Sequence, residues 1–226
     1  MPTSIRSFRY GINRVFVIRQ KGTIMIDAGP PGIAGKFEKD LLKEGIEPDS
    51  IKLMVLTHGD FDHSGSAASI KRLTGCDVAV HSKDRNLVEI GMFNWPPGAT
   101  PWGKFTHMIF APLMRRIKME PVKPDLILPD ENFPLHEYGI DGQVVYTPGH
   151  TQGHVSVVLD EGIAFIGCLS HNIKLFRLRP NLPIYAENIG EVKSSWKKIL
   201  DMGITEVYPA HGKSFNVNRI RKFLPA

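Results

Sequence analysis

The segment Thr57-His58-Gly59-Asp60-Phe61-Asp62-His63-Ser64-Gly65 places two imidazoles and two carboxylates within six residues, directly after the apolar run Ile51 to Leu56. Side chains of these types packed so closely would repel, titrate or compete for partners unless a cation of high charge density organised them. His58, Asp60, Asp62 and His63 therefore read as a metal-ligand cluster, and the apolar run as the strand that delivers it. Three later segments carry comparable residues after a strand or in a glycine-rich turn: Thr147-Pro148-Gly149-His150-Thr151-Gln152-Gly153-His154, Ile166-Gly167-Cys168-Leu169, and Tyr208-Pro209-Ala210-His211-Gly212. His81, His107, His136 and His171 lack such a setting and are expected to be ordinary surface or hydrogen-bonded residues.

The elements that must position these residues alternate. Val15 to Arg19 and Thr23 to Ile26 read as strands joined by the turn Gln20-Lys21-Gly22. Phe37, Leu41 and Leu42 give Lys36 to Lys43 a helical period with Gly45 as its stop, and the strand Ile51 to Leu56 follows. Beyond the cluster the pattern predicts a helix over Ser66 to Leu73, a strand over Asp77 to His81, and a helix over Ser82 to Ile90 with Ser82 at its N-cap. Strands are then predicted at Gln143 to Thr147, Val155 to Leu159, Ile163 to Ile166 and Glu206 to Tyr208. Asn188 with Glu191 three residues on resembles a capping box opening a helix through Trp196, Ile199 and Leu200. This alternation implies an α/β fold. Residues 91–125, with Trp95-Pro96-Pro97-Gly98 and the apolar stretch Phe105 to Met119, break the rhythm and read as an insertion, either packed on the domain or forming a lid over an apolar substrate or a partner surface.

A chain of 226 residues suits a single domain spanning 1–226, and 42% hydrophobic with 23% charged residues is ordinary for a soluble protein. Residues 1–19 show neither the apolar core nor the cleavage site of a secretory signal, so the expected location is cytoplasmic. Cys76 and Cys168 are the only cysteines, with no zinc-finger spacing and no disulfide framework. The net charge of +5 suits an anionic small molecule as readily as nucleic acid. No added nucleic-acid-binding domain and no basic stripe with interleaved aromatics is present, so nucleic acid is not an expected partner, and neither is a membrane.

Taken in order, Asp27 after an early strand, the His-x-x-x-Asp-His cluster, Thr-Pro-Gly-His-Thr, a strand ending in Gly plus Cys168, and Pro-x-His-Gly resemble the metallo-β-lactamase superfamily, nearest its glyoxalase II-like hydrolases. The resemblance covers the chain almost end to end. It implies an αββα sandwich of two mixed sheets with helices outside, and a dinuclear site at one edge. One divalent metal would take His58, Asp60 and His150, and the other Asp62, His63 and His211. Cys168 would touch one or both, and Asp27 would support the ligand loop without touching metal.

Position 60 is commonly His in that family and is Asp60 here, which favours iron or manganese; position 168 is commonly a bridging Asp and is Cys168 here, which favours zinc. Cys168 also reads as a small buried hydrophobe that leaves the bridge empty. Asp60 also reads as a helix cap, which the expected helix start near Ser66 disfavours. His154 is expected to hydrogen-bond within its own loop rather than bind metal. Two divalent ions, zinc first among the candidates, would bring a shared water's pKa toward about 7 and hold hydroxide against an ester, thioester, lactone or phosphodiester, with Asp62 orienting it. Lys174, Arg177 and Arg179 are the expected contacts for an anionic group on a small-molecule substrate. The competing functions are a di-iron or mononuclear iron oxidative enzyme, a nuclease, and a metal-depleted binding protein without catalysis.

Overall fold

The computed structural model describes residues 2–114, 116–173 and 181–224. The first sheet runs β1 (Ser4–Tyr10), β2 (Asn13–Arg19), β3 (Thr23–Ile26), β4 (Ile51–Val55), β5 (Asp77–His81) and β6 (Leu126–Leu128), in that spatial order. Its first three strands pair antiparallel, and β3 through β6 pair parallel. The helices α1 (Ala34–Lys43), α2 (Phe61–Ser64), α3 (Ala67–Thr74), α4 (Arg85–Ile90) and α5 (Pro101–Met114) fall between or after these strands. The second half contributes β7 (Phe133–Pro134), β8 (Gly142–Tyr146), β9 (Val155–Leu159), β10 (Ile163–Phe165), β11 (His171–Asn172), α6 (Ile189–Asp201), β12 (Glu206–Tyr208), β13 (His211–Gly212), β14 (Phe215–Asn216) and α7 (Asn218–Arg221). Its sheet has the order β14-β12-β10-β9-β8-β7, and β11 pairs with β13 as a separate parallel ribbon.

Period-two alternation explains how the layers stack. In β2, Val15 and Val17 face the helices, packing with Phe37, Leu41 and Ile70, whereas Phe16 and Ile18 face the opposite sheet and pack with Val157, Leu159 and Phe165. On the far side of the second sheet, Val145, Val158 and Ala164 meet Trp196 and Ile199 of α6. Three apolar layers thus separate helix, sheet, sheet and helix, which is the αββα architecture. No helix among the described residues is long and apolar enough to cross a membrane.

The predicted elements survive with local corrections. The strand β1 was not foreseen, because arginines at positions 6 and 9 mask an edge strand whose alternate residues Phe8 and Tyr10 are buried. The helix expected from Ser82 begins at Arg85, with Asp84 in the N-cap position. Ser82 instead continues the sheet, its N–H donating to the Leu128 carbonyl at 3.1 Å. A short helix starts directly after Asp60, earlier than expected, yet the Asp60 carboxylate makes no capping bond. Asn188 caps α6 through the N–H groups of Gly190 and Glu191, at 2.9 and 3.2 Å. The capping box is incomplete, since Glu191 accepts from the Gln152 side chain at 3.0 Å.

The strand directions bring the chemistry to one edge. β8, β10 and β12 run parallel to one another in the second sheet, so the residues that follow them, reaching His150, Cys168 and His211, emerge on the same side. The Thr57 carbonyl, just past β4, accepts from the Val155 N–H at 2.8 Å and brings the first sheet's ligand loop to that edge. Trp196 is fully buried beneath it, its indole N–H donating to the Leu169 carbonyl at 3.0 Å. Trp196→Ala is expected to cost about 3–5 kcal/mol, read as a lowered urea midpoint, through the lost volume and the unpaired carbonyl.

Candidate metal centre

Asp27 anchors the ligand loop. It adopts the left-handed conformation, φ 61°, the one non-glycine position with positive φ among the described residues. Asp pays a modest cost there and the surrounding bonds hold it. Its Oδ1 accepts from the Thr57 N–H and hydroxyl, both at 2.8 Å, and its Oδ2 lies 2.8 Å from His63 Nδ1. The carboxylate therefore fixes both the start of the loop and the ring of its last histidine.

Each of four imidazoles is tied on its outer nitrogen. His63 Nδ1 is held by Asp27, His58 Nδ1 lies 3.0 Å from the Thr57 hydroxyl, His150 Nδ1 donates to the Tyr185 carbonyl at 2.9 Å, and His211 Nδ1 donates to the Ile12 carbonyl at 3.3 Å. The four Nε2 atoms consequently turn inward. Asp60 Oδ2 sits 3.5 Å from the Nε2 atoms of both His58 and His150. Asp62 sits 3.5 Å from His211 Nε2 and 3.9 Å from His63 Nε2. Cys168 Sγ is 3.3 Å from His63 Nε2 and stands within 4.8 Å reach of two sets, with His58 and His150 and with His63 and His211.

The structure brings Asp60 together with His58 and His150, and Asp62 together with His63 and His211, with the Cys168 sulfur within reach of both pairs of histidines. The Nε2 atoms of His58 and His150 are buried without a hydrogen-bond partner. An inward lone pair facing a carboxylate needs positive charge between them, and this donor set of imidazole, carboxylate and thiol fits a divalent metal. Second contacts from outer groups to ligating histidines are the usual way such rings are oriented.

The local field has the same sense. Burial disfavours a charged imidazole at His150, yet the Cys168 sulfur and the Asp60 carboxylate outweigh it and push its pKa up to about 10. His63 is raised well above the usual imidazole range because Cys168, Asp27 and Asp62 together outweigh its burial, and His58 and His211 are raised as well. Burial would raise the Cys168 thiol, but His63, His211 and His150 hold it well below the usual thiol range. Burial likewise opposes the Asp60 carboxylate, and His150 with His58 holds it low. The cluster is a set of anions that demands compensating positive charge, whether protons or a metal supply it.

His154 behaves as expected and differs from the four. Its Nδ1 lies 3.0 Å from the Thr147 carbonyl and its Nε2 accepts from the Cys168 N–H at 3.2 Å, so no nitrogen is left for a metal. That bond requires close approach: at Gly167, φ +47°, an added Cβ would lie 2.6 Å from His154 Nε2. His171 is buried rather than on the surface, accepts from the Ile184 N–H at 3.1 Å, and is pushed down to about 4, chiefly by burial. Lys174, Arg177 and Arg179 lie outside the described residues.

Two functional residues escaped the sequence. Asn13 donates its side-chain amide to the Asp62 carbonyl and so holds the loop from the first sheet. Asp84, 3% exposed, straps two loops: its Oδ2 accepts from the Gly59 N–H at 2.9 Å and the Thr151 hydroxyl at 3.0 Å, and its Oδ1 from the Gly153 N–H at 3.2 Å. Its only sequence signal is its place just past the end of a parallel strand. Asp84→Ala is expected to destabilise by about 3 kcal/mol in urea unfolding, because three buried donors lose a charged acceptor. It should also weaken metal retention about tenfold or more in a chelator competition, because the loops bearing His58 and His150 are no longer held together.

Known proteins resemble this chain in sequence and in fold. The chain is 29% identical over 140 residues to a probable metallo-hydrolase, YflN, of Bacillus subtilis, covering 62% of this chain and 52% of that protein. It is 28% identical over 151 residues to the hydroxyacylglutathione hydrolase GloC of Haemophilus influenzae, covering 66% of this chain and 61% of that one. The matched regions thus span between half and two thirds of those relatives' lengths. The solved B3 metallo-beta-lactamase BLEG-1 superposes with a TM-score of 0.70 at 20% identity, over 96% of this chain and 95% of that one, a likeness of fold. The profile of the metallo-beta-lactamase superfamily matches residues 9–211. Because that match runs from the first strand to the last of the converging histidines, the chain belongs to the metallo-beta-lactamase superfamily.

Proposed function

We propose that this chain is a metal-dependent hydrolase of a small-molecule ester, thioester, lactone or phosphodiester, working with two divalent ions, zinc foremost. The observation that carries this is the inward convergence of four Nε2 atoms, each with its Nδ1 anchored, on two carboxylates and one sulfur. His58, Asp60 and His150 would hold one ion and Asp62, His63 and His211 the other, with Cys168 shared. Metals bound there would supply Lewis acidity to the electrophilic oxygen and make a water acidic enough to react near neutral pH. Asp60 draws the site toward harder ions, while the Cys168 sulfur, within reach of both sets, draws it toward zinc.

The protein's own part is orientation and proton handling. Asp62 is the most exposed member of the cluster, its side chain 19% accessible, and it borders the open cavity beside the site. Its carboxylate would orient an attacking water and accept its proton. Asp27 and Asn13 hold that loop from behind, so the carboxylate does not have to be recruited during the reaction. The Nε2 atoms of His58 and His150, both turned toward the Asp60 carboxylate, support a metal-holding centre over a metal-depleted binding protein.

Elemental analysis of protein purified without chelator is expected to find about two equivalents of metal per chain, mostly zinc; one equivalent would indicate a mononuclear enzyme, and none would overturn the proposal. Asp62→Asn is expected to lower kcat about 10²–10⁴-fold while moving the urea midpoint little. Full activity in that variant would remove Asp62 from the role.

A further inference from the structure

The helix α5 carries Trp102, Thr106, Phe110 and Met114 at successive intervals of four residues, and this stripe forms one wall of a cavity of about 520 Å³ that opens on Asp60, Asp62 and His150. That volume is within the range of small-molecule sites, roughly 300–1,000 Å³. Trp95, Ile184 and Ile173 add apolar surface to it. Among the described residues that line the cavity there is no lysine and no arginine. The single polar side chain of the stripe, Thr106, is engaged with the Tyr185 hydroxyl at 2.6 Å.

This wall is built onto the metal centre. The Ala99 N–H donates to the Ile184 carbonyl at 2.8 Å and the Ala186 N–H to the Pro97 carbonyl at 3.0 Å, locking the approach to α5 against residues 184–186. Gly103 allows that closeness, since a Cβ there would lie 2.1 Å from the Ile184 carbonyl oxygen. The same stretch supplies the Tyr185 carbonyl that orients His150. Yet Trp102 remains 60% exposed and Phe110 48% exposed, large apolar surface at the mouth that a ligand would cover.

We propose that the substrate carries a medium-length alkyl chain or aryl group on its acyl side, and that this group lies along the Trp102–Phe110–Met114 stripe with its carbonyl over Asp60 and Asp62. The proposal rests on the hydrolase assignment and adds its substrate class. Hydrolysis of such an ester or thioester joins the oxygen of water to the acyl carbon, breaks the bond to the leaving oxygen or sulfur and returns a proton to that atom, with no further reactant. Residues 101–114 are then the specificity wall of the site, reading apolar length and leaving charge recognition elsewhere.

The test uses the metal-loaded protein and the straight-chain carboxylates from acetate to decanoate, followed by tryptophan fluorescence, to which Trp95 and Trp102 report, and by calorimetry. Affinity is expected to rise about threefold to fourfold per methylene. Trp102→Ala and Phe110→Ala should flatten that rise, whereas Met108→Ala, on the outer face of α5 and 69% exposed, should leave it unchanged. Affinity indifferent to chain length, or a rise that both inner variants preserve, overturns the proposal. Esters, thioesters, lactones and phosphodiesters bearing the same chain lengths separate the two assignments. Length-dependent binding without hydrolysis of any of them keeps the apolar subsite and removes the hydrolase, and hydrolysis indifferent to length does the reverse.

Discussion

Four imidazoles can present Nε2 to one small volume only if each ring is held from outside by its other nitrogen. Here the outer partners are one carboxylate, one hydroxyl and two backbone carbonyls, contributed by Asp27, Thr57, Tyr185 and Ile12. Each anchor belongs to a different piece of backbone, so the centre exists only when those pieces are in register. The carboxylates and the buried sulfur between the rings then make positive charge a condition of the folded site rather than an addition to it.

The fold meets this condition by sending strand ends of both sheets to one edge and stitching the loops there. Asp27 ties the end of β3 to the loop after β4, Asp84 ties that loop to the one after β8, and the Thr57 carbonyl pairs with the start of β9. The bonds are short, buried and largely charge-assisted, the class worth most where solvent is excluded. Little of the ligand loop is free to rearrange. The open side is occupied by α5, whose inner stripe faces the centre and which also exposes Phe105, Met108 and Leu113.

Much of the architecture was legible beforehand because it follows from local periodicity. The strands at Asp77–His81, Val155–Leu159 and Glu206–Tyr208 and the helix after Asn188 stand where alternation and capping residues put them. The errors arose where a residue's local use gave way to a distant one. Ser82 reads as a cap but completes a strand pairing with Leu128, and Glu191 reads as half of a capping box but bonds Gln152. In the sequence, position 60 reads as too far from a helix to cap it; a helix does begin beside it, and the Asp60 carboxylate still turns to His58 and His150.

By itself, the sequence determined the chemical types and their local spacing: four metal-competent side chains in one loop, and His150, Cys168 and His211 each placed just past a strand. Those are properties of neighbouring residues, and neighbouring residues are what a linear pattern encodes. Only the tertiary structure decided that Cys168 stands within reach of both sets, that His154 is spent on backbone bonds, that Asp84 is a strap, and that α5 sets an apolar wall beside Asp62. The reason is physical: these roles depend on contacts between residues from 14 to more than 100 positions apart, such as His154 with Cys168 and Cys168 with His63. Such contacts are set by sheet register and layer packing, which no local pattern specifies.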